Sequence, residues 1–175
     1  MAEAEPVTLA ERRFTCSSPQ ATEALAAAFA AALEPGDVVA LIGELGAGKT
    51  CFVRGAARAL GVEGPVASPT YTLMHAYEGR LPVYHLDAWM QGRGEAFLED
   101  GGAEWLHEAG IAFVEWAERV AAWLPLPRVE VLLAHAGPTR REIRLRVLAS
   151  QRGGAAGRLA QRLGDLVPPE GVQEA

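Results

Sequence analysis

The sequence predicts an α/β fold: one domain built on a central mixed β-sheet flanked by helices. Three observations carry this. The apolar run Val38–Ile42 leads straight into Gly43-Glu44-Leu45-Gly46-Ala47-Gly48-Lys49-Thr50, which satisfies the phosphate-loop (P-loop) pattern G-x-x-x-x-G-K-[ST]. A second unbroken apolar run occupies residues 111–114. Several strand-like segments then follow one another with too few helices between them for strict βαβ alternation, which adds antiparallel neighbours to a parallel centre.

Each element has its own signals. Val7–Cys16 has strand character, and Ser17-Ser18-Pro19 reads as a helix cap with proline in the first turn. The alanine-rich stretch 23–33 continues as helix and stops at Glu34-Pro35-Gly36-Asp37. Behind the P-loop a helix runs from 48 to about 60, closed by Gly61. Residues 64–72 (GPVASPTYT) have loop chemistry, and strands are expected at 71–77 and 81–86 around a turn at Glu78-Gly79-Arg80. The glycine-rich, acidic stretch 91–102 reads as a loop with a short helix near 95–98. The apolar run at 111–114 ends in Glu115-Trp116, and a helix over 118–124 stops at Pro125 and Pro127. Strands at 129–134 and 142–148 turn at Gly137-Pro138. The P-loop domain so assigned covers residues 1–150, leaving 151–175 as an arginine-containing helix over 155–163 and a frayed Pro/Glu tail.

The residue types of the P-loop are dictated by phosphate. Glycines let the backbone curl so that successive N–H groups point at one anion, at the positive end of the following helix. Lys49 is the only lysine, the other fifteen basic residues being arginine. A compact ammonium fits where a planar guanidinium would not. The Thr50 hydroxyl suits Mg²⁺, which takes few protein ligands and keeps several waters. Cys51 reads as a small packed side chain, with a reactive thiol at a helix start as the alternative.

Phosphoryl chemistry also needs a carboxylate to hold or order Mg²⁺ and a group to position water. Asp87 and Glu115 each end an apolar strand, at the edge where open α/β sheets bind ligands. His85 shares a strand face with Asp87, where packing is the commoner role of a lone histidine. A small-GTPase type of guanine-reading loop, Asn-Lys-x-Asp, needs a second lysine, so ATP is the expected nucleotide.

Composition excludes other classes. Charged residues make up 22% and hydrophobic ones 50%, an ordinary globular balance rather than a disordered one. There is no apolar stretch of membrane-spanning length and no signal-peptide pattern, and two cysteines, Cys16 and Cys51, fit a reducing cytoplasm better than a disulfide framework. The net charge of −6 argues against a surface given over to nucleic acid, yet residues 137–163 carry +6 against −12 for the remainder. Arg140, Arg141, Arg144, Arg146, Arg152, Arg158 and Arg162 therefore form either a solvated charged face or a contact for an anionic partner.

Beyond the P-loop, ordered segments across roughly residues 19–146 resemble the bacterial TsaE (YjeE) family of tRNA threonylcarbamoyladenosine biosynthesis ATPases. They are GELGAGKT at 43–50, FVRG at 52–55, SPTYTL at 68–73, YHLD at 84–87 and VEW at 114–116. The resemblance implies ATP and Mg²⁺ as cofactors, with Thr50 and Glu115 at the metal and Asp87 associated with ATPase function. It further implies a switch-like loop in which Ser68 and Thr70 sense the γ-phosphate, Trp116 beside the site, and Arg141 approaching the nucleotide. It implies a weak ATPase that supports a TsaB–TsaD complex without itself transferring the threonylcarbamoyl group to tRNA, with tRNA contact through the region Arg140 to Arg162 left open. The chain departs from the family at Ala88-Trp89-Met90, Cys51 and Ala117, none of which removes a proposed phosphate or metal group. A P-loop small-molecule kinase and a nucleotide-gated adaptor are the competing readings.

Overall fold

A single eight-stranded sheet runs through the computed structural model, which describes residues 5–175. Its strands are β1 (Val7–Cys16), β2 (Val38–Ile42), β3 (Met74–Tyr77), β4 (Val83–Asp87), β5 (Ile111–Glu115), β6 (Arg128–His135), β7 (Arg141–Ala149) and β8 (Val172–Glu174). The helices are α1 (Pro19–Ala30), α2 (Lys49–Ala59), α3 (Arg93–Glu99) and α4 (Gly154–Gly164). The strand order is β3-β4-β5-β2-β6-β7-β1-β8. Neighbours β4, β5, β2 and β6 are parallel, while β3, β7, β1 and β8 join antiparallel, so the sheet is mixed with a parallel centre. Among the described residues no helix is long and apolar enough to cross a membrane.

The sheet is covered unequally. On one side α1, α2 and α4 pack Leu25, Phe29, Phe52, Val53, Leu159 and Leu163 onto Leu41, Phe113, Val131 and Leu145. On the other, α3 and three short 3₁₀ turns cover β4, β5 and β2 through Leu98, Leu106, Val120 and Leu124. Helices α1 and α2 approach closely at Gly55, where a Cβ would lie 2.4 Å from the Glu23 carbonyl oxygen. The Ser18 hydroxyl accepts from Ala21 N–H at 3.1 Å, the expected cap of α1.

Three elements differ from the sequence reading. The strand expected from 71 begins at Met74, because Leu73 takes a left-handed φ of 68° and its N–H closes a turn on the Pro69 carbonyl at 2.7 Å. The helix expected over 118–124 is instead two 3₁₀ turns, Ala117–Arg119 and Ala121–Trp123. Trp116 enters in the left-handed region and Leu124 is extended before proline, leaving too short a stretch to propagate α geometry. The tail expected to fray ends in β8, paired with β1. Arg12 fastens it, donating to both carboxylate oxygens of Glu174 at 2.6 Å each.

Candidate functional site

The site lies where parallel strands β2, β5 and β4 end side by side. The register pairs Leu41 with Glu115 and Glu115 with Asp87, so the P-loop, Glu115 and Asp87 emerge from adjacent strands at one sheet edge. Lys49, Thr50, Cys51, Ser68, Asp87 and Glu115 line a common cavity of about 350 Å³, with Leu45, Gly46, Gly48, Thr70, Trp89 and Trp116 around it. Gly43, Glu44 and Ala47 complete the loop, and Ala47 is buried beneath it.

Glycine geometry shapes the loop. Gly46 and Gly48 adopt φ of 75° and 105°, values side chains disfavour, and Gly48 is also the N-cap of α2. At Gly43 space decides, since a Cβ would sit 2.5 Å from the Leu133 carbonyl oxygen. No side chain caps α2, so its first-turn N–H groups remain available to an anion.

Lys49 curls back on its own loop. Its ammonium donates to the carbonyls of Gly43 at 2.6 Å and Glu44 at 2.9 Å and sits 3.6 Å from the centroid of the Trp116 ring. Burial holds its pKa below the ordinary lysine value, against the opposing pull of Glu115, Glu118 and Asp87. Trp116 itself sits at φ 56°, packs against Trp89 with ring centroids 4.4 Å apart, and shares the Arg119 guanidinium with it. The two positive-φ non-glycine residues among the described residues, Leu73 and Trp116, flank the site, where backbone strain tends to collect.

The two carboxylates are held differently. The Thr50 hydroxyl donates to Glu115 Oε1 at 2.8 Å, and His85 Nε2 lies 2.8 Å from the same oxygen. Asp87 is enclosed by donors: Oδ2 accepts from the hydroxyls of Ser68 and, at 2.8 Å, Thr70, while Oδ1 accepts from Trp89 N–H at 2.8 Å. The Ser68–Thr70 loop is thus tied to the sheet edge through Asp87.

Arg141 and Cys51 direct their side chains at backbone carbonyls. Arg141 donates to the carbonyls of Ala47 and Gly46 at 3.1 Å each, with further bonds to Gly137 and Arg140, so it grips the P-loop backbone. Cys51 donates from Sγ to the Pro19 carbonyl at 3.4 Å, and burial followed by the Glu23 charge pushes its thiol pKa up, the opposite of an activated nucleophile. Sequence reasoning missed Arg119; its signal was the three-residue spacing from Trp116, obscured by the helix expected there. The contact of His85 with Glu115 depends on strand register, which a sequence does not print.

The arginine-rich stretch is partly neutralised by acids from elsewhere. Arg146 pairs with Glu130 at 2.6 Å and Arg162 with Asp37 at 2.8 Å. Among the described residues, Arg140, Arg152 and Arg158 are exposed and make no ion pair.

Comparison with known proteins places the chain in a family. The family model described as threonylcarbamoyl adenosine biosynthesis protein TsaE matches residues 16–143. A tRNA threonylcarbamoyladenosine biosynthesis protein TsaE of Treponema pallidum is 44% identical over 111 residues, 63% of this chain and 82% of the relative. The protein of that name in Bacillus subtilis is 43% identical over 128 residues, 72% and 79% of the two chains. The crystal structure of Bacillus subtilis YdiB superposes with a TM-score of 0.73 at 33% identity, covering 90% of this chain and 96% of that one. A match over most of the chain, joined to the P-loop and the two strand-end carboxylates, makes this chain a member of the TsaE family of threonylcarbamoyl adenosine biosynthesis proteins.

Proposed function

We propose that the chain is a Mg²⁺-dependent ATPase, weak alone, that serves tRNA threonylcarbamoyladenosine formation as an accessory subunit of a TsaB–TsaD complex. The observation that carries this reading is the convergence of the P-loop, Glu115 and Asp87 on one sheet edge in a chain of the TsaE family. Lys49 exchanges the Gly43 and Glu44 carbonyls for the β- and γ-phosphates, and the α2 N-terminus holds the same anion. ATP rather than GTP follows from the absence of a second lysine for the guanine-reading loop considered above.

The residues present fit Mg²⁺. An alcohol and a carboxylate, Thr50 and Glu115, are hard oxygen donors already 2.8 Å apart. Among the described residues no group of three His, Cys, Asp or Glu side chains could cage a metal, which suits an ion that shares its shell with phosphate oxygens and water. When bound, Mg²⁺ supplies neutralisation of the charge on the phosphate oxygens. We assign Thr50 and Glu115 to the metal, and Asp87 to holding the Ser68–Thr70 loop. That loop couples nucleotide state to the partner surface, and Arg141 keeps the P-loop in shape. The exposed Arg140, Arg152 and Arg158 are the part of the basic stretch free to meet tRNA.

The test is ATP hydrolysis by the chain alone and with TsaB and TsaD. Stimulation by the partners, lost in Lys49→Ala, is the expected result. An unchanged rate on adding both partners overturns the accessory role, and phosphorylation of a small molecule in a substrate screen would identify a kinase instead.

A further inference from the structure

Packing is the commoner role of a lone strand histidine, and the surroundings of His85 on β4 do not suit it. His85 is 0% exposed, yet its Nδ1 is buried with no hydrogen-bond partner among the described residues. Its only side-chain polar contact among the described residues is Nε2 to Glu115 Oε1 at 2.8 Å. A ring kept only to fill space would be cheaper as an apolar side chain, which leaves no ring nitrogen unpaired.

The geometry points to His85 as a positioning residue for Glu115. A bare Nε2 lone pair cannot face a carboxylate oxygen, so Nε2 carries the hydrogen and donates it. Oε1 then accepts two bonds at equal length, from Nε2–H of His85 and from the Thr50 hydroxyl. Two donors on one oxygen, arriving from β4 and from the first turn of α2, fix the rotation of the carboxylate. The other oxygen, Oε2, makes no hydrogen bond to a described residue and belongs to a side chain that lines the cavity. His85 therefore turns Oε2 toward the cavity and holds Thr50 and Glu115 together as a pair. The register makes this possible: His85 lies opposite Phe113 and Asp87 opposite Glu115, so His85 reaches the carboxylate on the diagonal of the β4–β5 ladder.

This inference rests on the nucleotide and metal reading of the site, and the experiment separates the two. Calorimetric titration with ADP, once in Mg²⁺ and once in EDTA, gives the Mg²⁺-dependent gain in affinity for wild type, His85→Leu and His85→Gln. The gain should fall about tenfold or more in His85→Leu, the usual consequence of losing a residue that orients a metal ligand, with affinity in EDTA unchanged. His85→Gln, whose amide can place an N–H near the position of Nε2, should restore most of the gain. A loss of the same size in EDTA, or a full gain in His85→Leu, overturns the positioning role. The ¹⁵N resonances of His85 in the nucleotide-free chain give a readout that needs no metal and no leucine variant. Hydrogen on Nε2 with Nδ1 bare supports the inference, and the opposite tautomer overturns it. Absence of any Mg²⁺-dependent gain in wild type, with Nε2 protonated, would sink the metal reading and leave the His85–Glu115 contact standing.

Discussion

Lys49 is held by three groups, two loop carbonyls and the face of Trp116, that a phosphate must replace. Lys49→Ala should weaken ATP binding by about tenfold or more, since charge-assisted bonds contribute roughly 1.5–3 kcal/mol each. Lys49→Arg should not rescue it, because the guanidinium is broader than the gap between loop and ring. Calorimetric titration of both variants checks this, and an arginine variant with wild-type affinity would contradict it. Cys51 and Cys16 carry thiols whose burial raises their pKa. At pH 8 the folded chain should react with iodoacetamide more slowly than a free thiol of ordinary pKa. Timed alkylation read by mass spectrometry decides it, and rapid labelling of Cys51 would revive the reactive-thiol alternative. The P-loop residues were legible because the pattern is local and chemically constrained. The roles of Arg119 and Arg141 were not: one lies in a segment whose geometry was misjudged, and the other acts through backbone carbonyls brought together only by folding.

Among the elements, β8 departs furthest from expectation. A three-residue strand at a sheet edge has few ladder bonds, so it depends on Arg12, which also donates to the carbonyls of Leu163 and Gly164 in the last turn of α4 and of Leu166 just beyond it. Arg12→Ala should therefore destabilise two elements at once. With about 2 kcal/mol for the charged bonds to the buried part of that carbonyl cluster, Tm should fall by roughly 4–8 °C. Thermal denaturation followed by circular dichroism measures it, and an unchanged Tm would show that α4 and β8 hold without the arginine. The ion pair adds a pH signature. Hydrogen bonding to Arg12 lowers the Glu174 pKa from its ordinary 4.5, so the contribution is present above pH 4.5 and is lost as pH falls through the lower folded value. The protection of the Val172–Glu174 amides, relative to their intrinsic exchange rate at each pH, should fall in that acid window before that of the central strands. The strands buried on both faces were legible as unbroken apolar runs. Element ends were not, because Leu73 and Trp116 turn in left-handed conformations that their side chains do not advertise.

For the whole molecule, the α/β class and the mixed sheet followed from patterning, while the order of the strands did not. Placing β2 between β5 and β6 depends on long-range pairing that no local window contains. The same holds for charge. The sequence separates a basic stretch from an acidic remainder, and folding recombines them through Arg146–Glu130, Arg162–Asp37 and Arg144–Glu11. Contact with tRNA should thus depend on the unpaired arginines. Replacing Arg140, Arg152 and Arg158 by alanine should weaken binding and lower the salt slope by about one per arginine, while Arg146→Ala should do less. Filter binding across a salt series measures both quantities, and a slope unmoved by the triple variant would place the basic stretch outside the tRNA contact.

The seat of Lys49 on Trp116 has a spectroscopic consequence. Because the chain contains one lysine, lysine-selective isotope labelling yields a single ε-methylene signal, and that signal comes from the site. Lying above an indole face, it is shifted upfield by the ring current. Departure of the ammonium toward phosphate would release that shift, so one resonance counts the fraction of molecules whose loop has let go of its own cation.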